Sequence, residues 1–422
     1  MELRAACSHV AHFEASWHRD KDILGGNVST LAVADTTPAV DSAIDRALAE
    51  HRVVGAVVLV ARDGEIVYRR AAGLADRERA VAMREQAVFR LASLTKPLVT
   101  AATLRMVELG RIALADSVTT YLPDFRPALP NGEVPVITLR HLLTHTAGLA
   151  YRFMQPDGGA YERAGVSDGA DEPGLTMDEN LKRIARAGLF YPPGEKWEYS
   201  VAMDVLGAVL QVVEGQDLEA VIKTYVSAPL DAPSLSFELT ADQRARLVTP
   251  YADGKPEPVR IPDEGLRVRF PDSFPIYAGL AGINLVPARV FDKNSFRSGG
   301  GGMNGTAGDM LKFVEAIRTG GAPVVSHDTA GEMMTIQTGT LPIINRGPGW
   351  AFGFGGSILT DPAAALTPQS PGTFGWGGVW GHTWFIEPKR RLSVVSLSNT
   401  AFEGMMGRYV RDLRDAICRA MN

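Results

Sequence analysis

The stretch Ser93-Leu94-Thr95-Lys96 opens a segment that is helical in composition and runs to Gly110. Pro97 falls in the first turn, where a proline is tolerated. Residues i and i+3 share a helix face, so the Ser93 hydroxyl and the Lys96 amine can meet. The helix N-terminus favours developing negative charge, and a lysine buried against an apolar helix loses its preference for the charged form. The stretch therefore predicts a nucleophilic serine with a lysine base beside it.

Two later segments suit the same chemistry. Tyr199 stands just before a predicted helix that starts at Val201, where its phenol can face a cleft. Farther along, Trp376-Gly377-Gly378 precedes a strand that we predict over residues 380–387. Glycines beside a strand let the backbone approach a ligand closely, so the N–H of Val379 is a candidate oxyanion donor.

The order of these segments resembles the class C β-lactamases and penicillin-binding serine hydrolases. The finer detail, above all Trp376-Gly377-Gly378-Val379-Trp380-Gly381-His382, is similar to the family VIII carboxylesterases, which share that fold. His141–Leu149 and Ser298–Met303 resemble further segments of the family. The resemblance covers residues 38–420 and implies one fold over nearly the whole chain.

The resemblance also implies a two-step acyl transfer. Ser93 would attack the carbonyl carbon, and Lys96 and Tyr199 would share the role of general base and later protonate the leaving group. The N–H groups of Ser93 and Val379 would form the oxyanion hole. Neither a metal nor an organic cofactor is implied, and the expected partner is a small-molecule ester.

Two departures from the β-lactamase pattern favour an ester over a lactam. That family has Lys-Thr/Ser-Gly where this chain has Trp376-Gly377-Gly378, so the lysine that would hold an antibiotic's carboxylate is missing. It also has Tyr-x-Asn where this chain has Tyr199-Ser200-Val201. We therefore expect a carboxylesterase for short-chain neutral esters, with Trp376, Gly377 and Gly378 lining the substrate pocket as a wall rather than as catalysts. Tyr151 and Phe153 are the further candidates for that pocket.

Two other functional hypotheses remain open at this stage. The first is another enzyme of the same superfamily, a β-lactam or peptide hydrolase or an acyltransferase that passes the acyl group to an alcohol. The second is a non-catalytic, penicillin-binding-like sensor that reuses the fold to bind a ligand. An intact serine, lysine and tyrosine argue against the sensor.

A competing serine motif, Gly165-Val166-Ser167-Asp168-Gly169, matches the G-x-S-x-G nucleophile elbow. The elbow needs a buried strand before it and a helix after it. Residues 157–163 are rich in glycine and charge, and Pro173 interrupts the segment that follows. We interpret this motif as a glycine-rich surface loop.

Three histidines and a glycine run invite other interpretations. His141 and His145 have the spacing of zinc helices, but the H-E-x-x-H pattern fails, so packing or helix capping is favoured. His382 is a candidate for a Ser–His dyad, although sheet packing near the cleft is the preferred interpretation. The glycines at 299–302 lack the residues of a phosphate loop and predict a turn before a helix capped by Thr306.

Strand pairs at both ends of the chain predict the fold. Tight turns join the strands at 55–61 and 66–70, and again those at 378–387 and 392–398, which indicates an antiparallel sheet. We predict an α/β (α+β), β-lactamase-like fold: an antiparallel sheet flanked by helices, with an all-helical insertion domain. The predicted parts are a flexible tail over 1–36, a discontinuous sheet domain over 37–110 and 280–422, and a mainly helical insertion over 111–279. The five prolines of 250–275 predict a long loop at the active-site wall.

Composition excludes several classes of function. The chain has 422 residues, of which 45% are hydrophobic and 22% charged, so it is neither disordered nor fibrous. A net charge of −5 without a basic run offers no footprint for nucleic acid. No apolar stretch reaches the ~18 residues of a membrane span. The two cysteines, Cys7 and Cys418, are expected to be reduced thiols in a cytoplasmic protein. The sequence leaves the oligomeric state undetermined.

Overall fold

The structure, a computed structural model, describes residues 37–270 and 275–421, so the predicted tail at 1–36 lies outside the described residues, as does Cys7. Its strands are β1 (Gly55–Arg62), β2 (Glu65–Asp76), β3 (Val81–Ala82), β4 (Phe89–Arg90), β5 (Tyr251–Ala252), β6 (Val259–Arg260), β7 (Leu266–Val268), β8 (Ile283–Leu285), β9 (Asn304–Gly305), β10 (Trp350–Phe352), β11 (Ser357–Leu359), β12 (Phe374–Gly378), β13 (His382–Glu387) and β14 (Leu392–Ser398). Its α-helices are α1 (Thr37–Ala49), α2 (Thr95–Glu108), α3 (Val118–Tyr121), α4 (Leu139–Leu143), α5 (Ala160–Ala164), α6 (Met177–Ala187), α7 (Ala202–Glu214), α8 (Leu218–Ile222), α9 (Ala241–Ala245), α10 (Ala307–Arg318), α11 (His327–Met333), α12 (Glu403–Met406) and α13 (Arg408–Ala420).

An eight-stranded sheet joins strands from both ends of the chain, in the order β10-β11-β12-β13-β14-β1-β2-β3. Its pairs are antiparallel, and β1 lies between β14 and β2, so it joins strands from the two ends of the chain. The sequence of β1, rich in valine, is buried along both faces, as a strand with helices above and below it requires. The predicted antiparallel sheet and its two hairpins are confirmed.

Helices cover both faces of this sheet. On one face, α1 and α13 pack their apolar sides against Val58 and Val60 of β1, and Cys418 is buried in α13. On the other face, Val57 and Leu59 belong to a larger core shared with α2, α7 and α10. The segments predicted to form the site share this larger core, which contains residues of α2 and, from β12, Trp376.

The chain between residues 111 and 279 is mainly helical, and α7 occupies the predicted position after Tyr199. Short strands also occur there. Within the predicted loop at 250–275, β5 pairs with β6, and β7 pairs with β8, a strand that follows the loop. Prolines limit each pair to two or three residues but favour extended backbone between them. The division into an insertion and a discontinuous sheet domain stays a prediction.

No described helix is both long enough and apolar enough to cross a membrane. The cytoplasmic location stays a prediction.

Candidate active site

Ser93 lies in a 3₁₀ turn, Ala92–Leu94, that leads directly into α2. Ala92 has a φ of +47°, a conformation that costs an alanine backbone energy. The surrounding structure holds the turn in place: the N–H of Leu91 donates to the carbonyl of Met303 (2.8 Å), and the N–H of Met303 donates to Oγ1 of Thr95 (3.1 Å). The strained turn leaves Ser93 half-buried, whereas its neighbours Ala92 and Leu94 are buried.

Lys96 points back from the first turn of α2 onto this hydroxyl. Its Nζ lies 3.2 Å from Oγ of Ser93 and 2.6 Å from the carbonyl oxygen of Gly300. The side chain is 2% exposed, and burial lowers the pKa of the Lys96 amine to about 7, against the opposing charge of Asp204. A neutral amine, which can accept a proton, is therefore well populated near neutral pH.

Tyr199 approaches Ser93 from the start of α7. Its hydroxyl donates to Oγ of Ser93 at 2.7 Å and accepts from Nε1 of Trp376 at 3.2 Å. Nζ of Lys96 lies 4.5 Å from the centre of the tyrosine ring. Burial raises the pKa of Tyr199, so the resting phenol is neutral and can pass a proton on.

Trp376 does more than the sequence indicated. Trp376, Gly377 and Gly378 lie within β12 rather than before a strand. The indole N–H of Trp376 donates to the hydroxyl oxygen of Tyr199. The pattern of residues gives no signal for the direction of an indole N–H, which depends on the register of β12. That Trp376 forms a wall of the substrate pocket stays a prediction. Its hydrogen bond to Tyr199 is a further contact, which the sequence did not indicate.

The last two glycines of β12, Gly377 and Gly378, let the end of this strand pack closely against α12 and against the segment before Ser93. A Cβ on Gly378 would lie 2.6 Å from the carbonyl oxygen of Leu91, and one on Gly377 would lie 2.7 Å from Met405. Only glycine permits this approach. Val379 follows in the turn between β12 and β13, so the predicted role of its N–H as an oxyanion donor remains a prediction that this backbone contact supports.

Aromatic rings line one side of the site. Tyr151 is buried, stacks on Phe153 with centroids 4.6 Å apart and lies 5.0 Å from the ring of Tyr199. Phe153 continues to Phe270 (6.1 Å), which stacks on Tyr277 (4.3 Å). Sequence reasoning named Tyr151 and Phe153 and missed Phe270 and Tyr277, although the proline-rich segment had been assigned to this wall.

Ser167 is not placed to act as a nucleophile. It is fully buried, and its hydroxyl donates to Oδ1 of Asp171 at 2.5 Å. The N–H of Gly169 donates to the same hydroxyl at 3.1 Å. The prediction of a surface loop was wrong in one respect, because these polar bonds let the segment pack inside the protein.

The histidines have structural contacts. His141 completes a capping box with Thr138, as the helix-capping interpretation expected. His145 is buried, its Nδ1 lies 3.2 Å from Oγ of Ser200, and burial holds its pKa well below the usual range.

His382 places Nε2 2.8 Å from the carbonyl oxygen of Arg90, and burial lowers its pKa to about 4. These contacts fit the interpretation of sheet packing rather than that of a base for Ser93. Thr306 caps α10 through the N–H of Asp309, as predicted.

Across residues 37–270 and 275–421, no group of three or more His, Cys, Asp or Glu side chains is placed to hold a metal ion. Oγ of Ser93 lies within hydrogen-bond distance of both Lys96 and Tyr199. This geometry fits one class of protein, a serine hydrolase, with Ser93 as the candidate nucleophile and Lys96 and Tyr199 as the candidate bases.

Comparisons with known proteins agree with the geometry. Residues 40–418 match the model of the family described as "Beta-lactamase". The chain belongs to the β-lactamase family.

Its relatives include esterases and acyltransferases. It is 46% identical over 388 residues to Esterase EstB of Burkholderia gladioli, covering 92% of this chain and 96% of that one. Among solved structures it matches EstCE1, "a hydrolase with promiscuous acyltransferase activity", with a TM-score of 0.87, 43% identity and coverage of 92% and 100%. It is also 27% identical over 410 residues to Monacolin J acid methylbutanoyltransferase of Aspergillus terreus, covering 88% of this chain and 93% of that one.

Proposed function

We propose that this protein is a carboxylesterase that hydrolyses short-chain neutral esters through an acyl-enzyme on Ser93. One observation carries the proposal: Oγ of Ser93 lies between Nζ of Lys96 (3.2 Å) and the hydroxyl of Tyr199 (2.7 Å), with Trp376 bonded to that hydroxyl. The similarity to Esterase EstB over nearly the full length of both chains supports the same reaction.

Acylation uses the neutral form of Lys96. The amine takes the hydroxyl proton of Ser93, directly or through the phenol of Tyr199, while Oγ bonds to the ester carbonyl carbon. The carbon–oxygen bond to the alcohol then breaks, and the alcohol leaves with the proton returned by Lys96 and Tyr199. Because the two bases lie within one hydrogen-bonded set, their protonation is coupled and the pair acts as a unit.

Deacylation repeats these steps with water in place of the alcohol. Lys96 and Tyr199 remove a proton from the water, the water oxygen bonds to the acyl carbon, and Ser93 leaves with its proton restored. The N–H groups of Ser93 and Val379 are proposed to hold the carbonyl oxygen in both steps. One such donor contributes about 10²–10³ in kcat.

Two side chains argue for a neutral ester over a lactam. Trp376 stands where the β-lactamase pattern has a lysine, so no cation at that position recognises a carboxylate. Val201, which stands where Tyr-x-Asn has its asparagine, is a fully buried apolar residue. It therefore offers no amide to the cleft for the side chain of a lactam.

Turnover of a chromogenic acetate or butyrate ester tests the proposal. Ser93→Ala should reduce kcat/KM by about 10⁴-fold or more, because the covalent route is lost. Ser167→Ala is the matched control, since it removes the hydroxyl of the competing motif. Full activity in Ser93→Ala with loss in Ser167→Ala would assign the nucleophile to the elbow motif.

Acyl transfer to an alcohol is a second candidate activity. The Tyr151–Phe153 stack places apolar surface beside the acyl-enzyme, where an alcohol's hydrocarbon part can compete with water. The printed description of EstCE1 includes acyltransferase activity. Product analysis with a vinyl ester and added butanol tests this candidate, and acid as the sole product at every butanol concentration would exclude it.

A further inference from the structure

A fully buried carboxylate, Asp204, lies behind Lys96. It stands on α7, one helical turn into the helix that follows Tyr199. Its Oδ1 accepts from Oγ of Ser298 at 2.6 Å and from the N–H of Gly300 at 3.2 Å. The carbonyl of Gly300 in turn accepts from Nζ of Lys96 at 2.6 Å. A single residue therefore connects the carboxylate to the amine that activates Ser93.

Gly300 packs closely against the side chains of Tyr151 and Asp204. A Cβ on Gly300 would lie 2.7 Å from the hydroxyl of Tyr151 and 2.9 Å from Oδ2 of Asp204. In the described part of the chain, Oδ2 of Asp204 has no hydrogen-bond partner. A buried carboxylate oxygen without a partner costs free energy, so its presence calls for a compensating role.

Charged and titratable groups surround this carboxylate and Lys96 from several elements. They are Lys96 on α2, Arg289 in the 3₁₀ helix Pro287–Phe291, Asp168 in the loop before α6, and His145, Tyr151 and Tyr199 around the cleft. Burial lowers the pKa of Lys96, whereas the charge of Asp204 raises it. Burial raises the pKa of Asp204, whereas the bond from Ser298 and the charge of Lys96 lower it. The charge of each group therefore counteracts the pKa shift that burial causes in the other.

We propose that Asp204 is a positioning residue of this active site, which fixes Gly300 so that its carbonyl holds Lys96 against Ser93, and whose charge balances the lysine ammonium. This inference rests on the proposed function, because it assigns Asp204 a role in the protonation of the Lys96 base. Asp204 acts through Gly300 and Lys96 and does not contact the reacting atoms.

The test compares pH profiles of kcat/KM for hydrolysis of a chromogenic acetate ester. Asp204→Asn keeps the side chain's shape and removes its charge, so the acid limb should move to lower pH by about 1 unit. Asp204→Ala removes the anchor of Gly300 as well, so kcat should fall about tenfold or more with KM little changed. Asparagine should restore kcat relative to alanine. Asp178→Asn, which removes an exposed charge on α6, is the control and should keep the wild-type profile.

An acid limb that stays in place in Asp204→Asn would overturn the proposal. If Asp204→Ala gives no folded protein, Asp204→Asn decides the question by itself. Ser93→Ala and fluorophosphonate labelling are run beside the series. Labelling that persists in Ser93→Ala would overturn the proposed function and this inference together, whereas loss of labelling with an unmoved limb in Asp204→Asn would overturn this inference alone.

Discussion

Ser93, in a 3₁₀ turn, and Ser167, in a loop, each have an ionisable partner a few residues farther along the chain. Ser93 contacts Lys96, three residues on, and Ser167 contacts Asp171, four residues on. The first hydroxyl is half-buried and is also contacted by Tyr199. The second is fully buried, and the N–H of Gly169 is its other contact.

The difference lies in the partner of each hydroxyl and in its burial. Burial leaves Lys96 with a pKa of about 7, so its neutral form can accept the hydroxyl proton. Asp171 is instead held in an ion pair with Arg152, whose Nη2 lies 2.6 Å from Oδ2. Ser167 is fully buried, whereas Ser93 is only half-buried. The comparison therefore favours Ser93 as the proposed nucleophile.

Replacing the partner of Ser93 should produce the largest effect. Lys96→Met keeps the buried volume but removes the base, so kcat/KM for a chromogenic acetate ester should fall about 10²–10⁴-fold. Lys182→Met, on the exposed face of α6, is the matched control and should keep wild-type activity. Activity in Lys96→Met within threefold of wild type would contradict the proposal that Lys96 is the base for Ser93, and with it the proposed difference between Ser93 and Ser167.

The wild-type pH profile should reveal the same partner. The base is the neutral amine, which is present above the pKa of Lys96 and lost as the pH falls through about 7. Below that value kcat/KM should fall about tenfold per pH unit. Burial also raises the pKa of Asp168 to about 7, so Asp168→Asn is the control. Disappearance of the acid limb in that variant would assign the limb to Asp168 instead of Lys96.

A smaller effect is expected at the hydrogen bond that only the Ser93 region possesses. Trp376→Phe removes the N–H that contacts the hydroxyl of Tyr199, and kcat should fall about tenfold, as loss of one buried hydrogen bond predicts. KM should change less, because most of the ring remains. Trp350→Phe, on β10 two strands away in the same sheet, removes an indole N–H with no hydrogen bond to Tyr199 among the described contacts and should leave kcat unchanged. Equal losses in both variants would mean that ring packing, rather than the hydrogen bond, explains the effect.

The sequence was sufficient to predict that Ser93, Lys96 and Tyr199 lie together, because local patterns suggest it: a serine and a lysine on one helix face, and a tyrosine at a helix start. Their catalytic roles stay a proposal. The antiparallel sheet followed from its hairpin turns. The contact from Trp376 and the place of Asp204 depend on how β12 and α7 pack against α2, more than 100 residues away along the chain. A local sequence pattern does not show which distant segments will pack together, so these contacts are visible only in the folded structure.

The loop that contains Ser167 also shows what the sequence could not predict. Its glycines and charges predicted exposure, but a carboxylate, an asparagine and an arginine satisfy its polar groups inside the protein: Asp171 accepts from Ser167, Oδ1 of Asn180 accepts from the N–H of Ser167, and Arg152 pairs with Asp171. A polar segment can be buried when the folded chain supplies hydrogen-bond partners for its polar groups, and the local sequence does not show those partners.

Ser167→Ala should have the smallest effect on activity and a measurable effect on stability. The substitution leaves a buried N–H on Gly169 and an oxygen of Asp171 without a partner, which should lower the free energy of unfolding by about 1–3 kcal/mol. Hydrolysis of the acetate ester should stay within about threefold of wild type, because Ser167 contacts neither Ser93 nor its bases. Denaturant unfolding with the same slope and a lower midpoint is the measurement. A variant with wild-type stability and lost activity would reverse the comparison, since it would give Ser167 the chemistry that the geometry gives to Ser93.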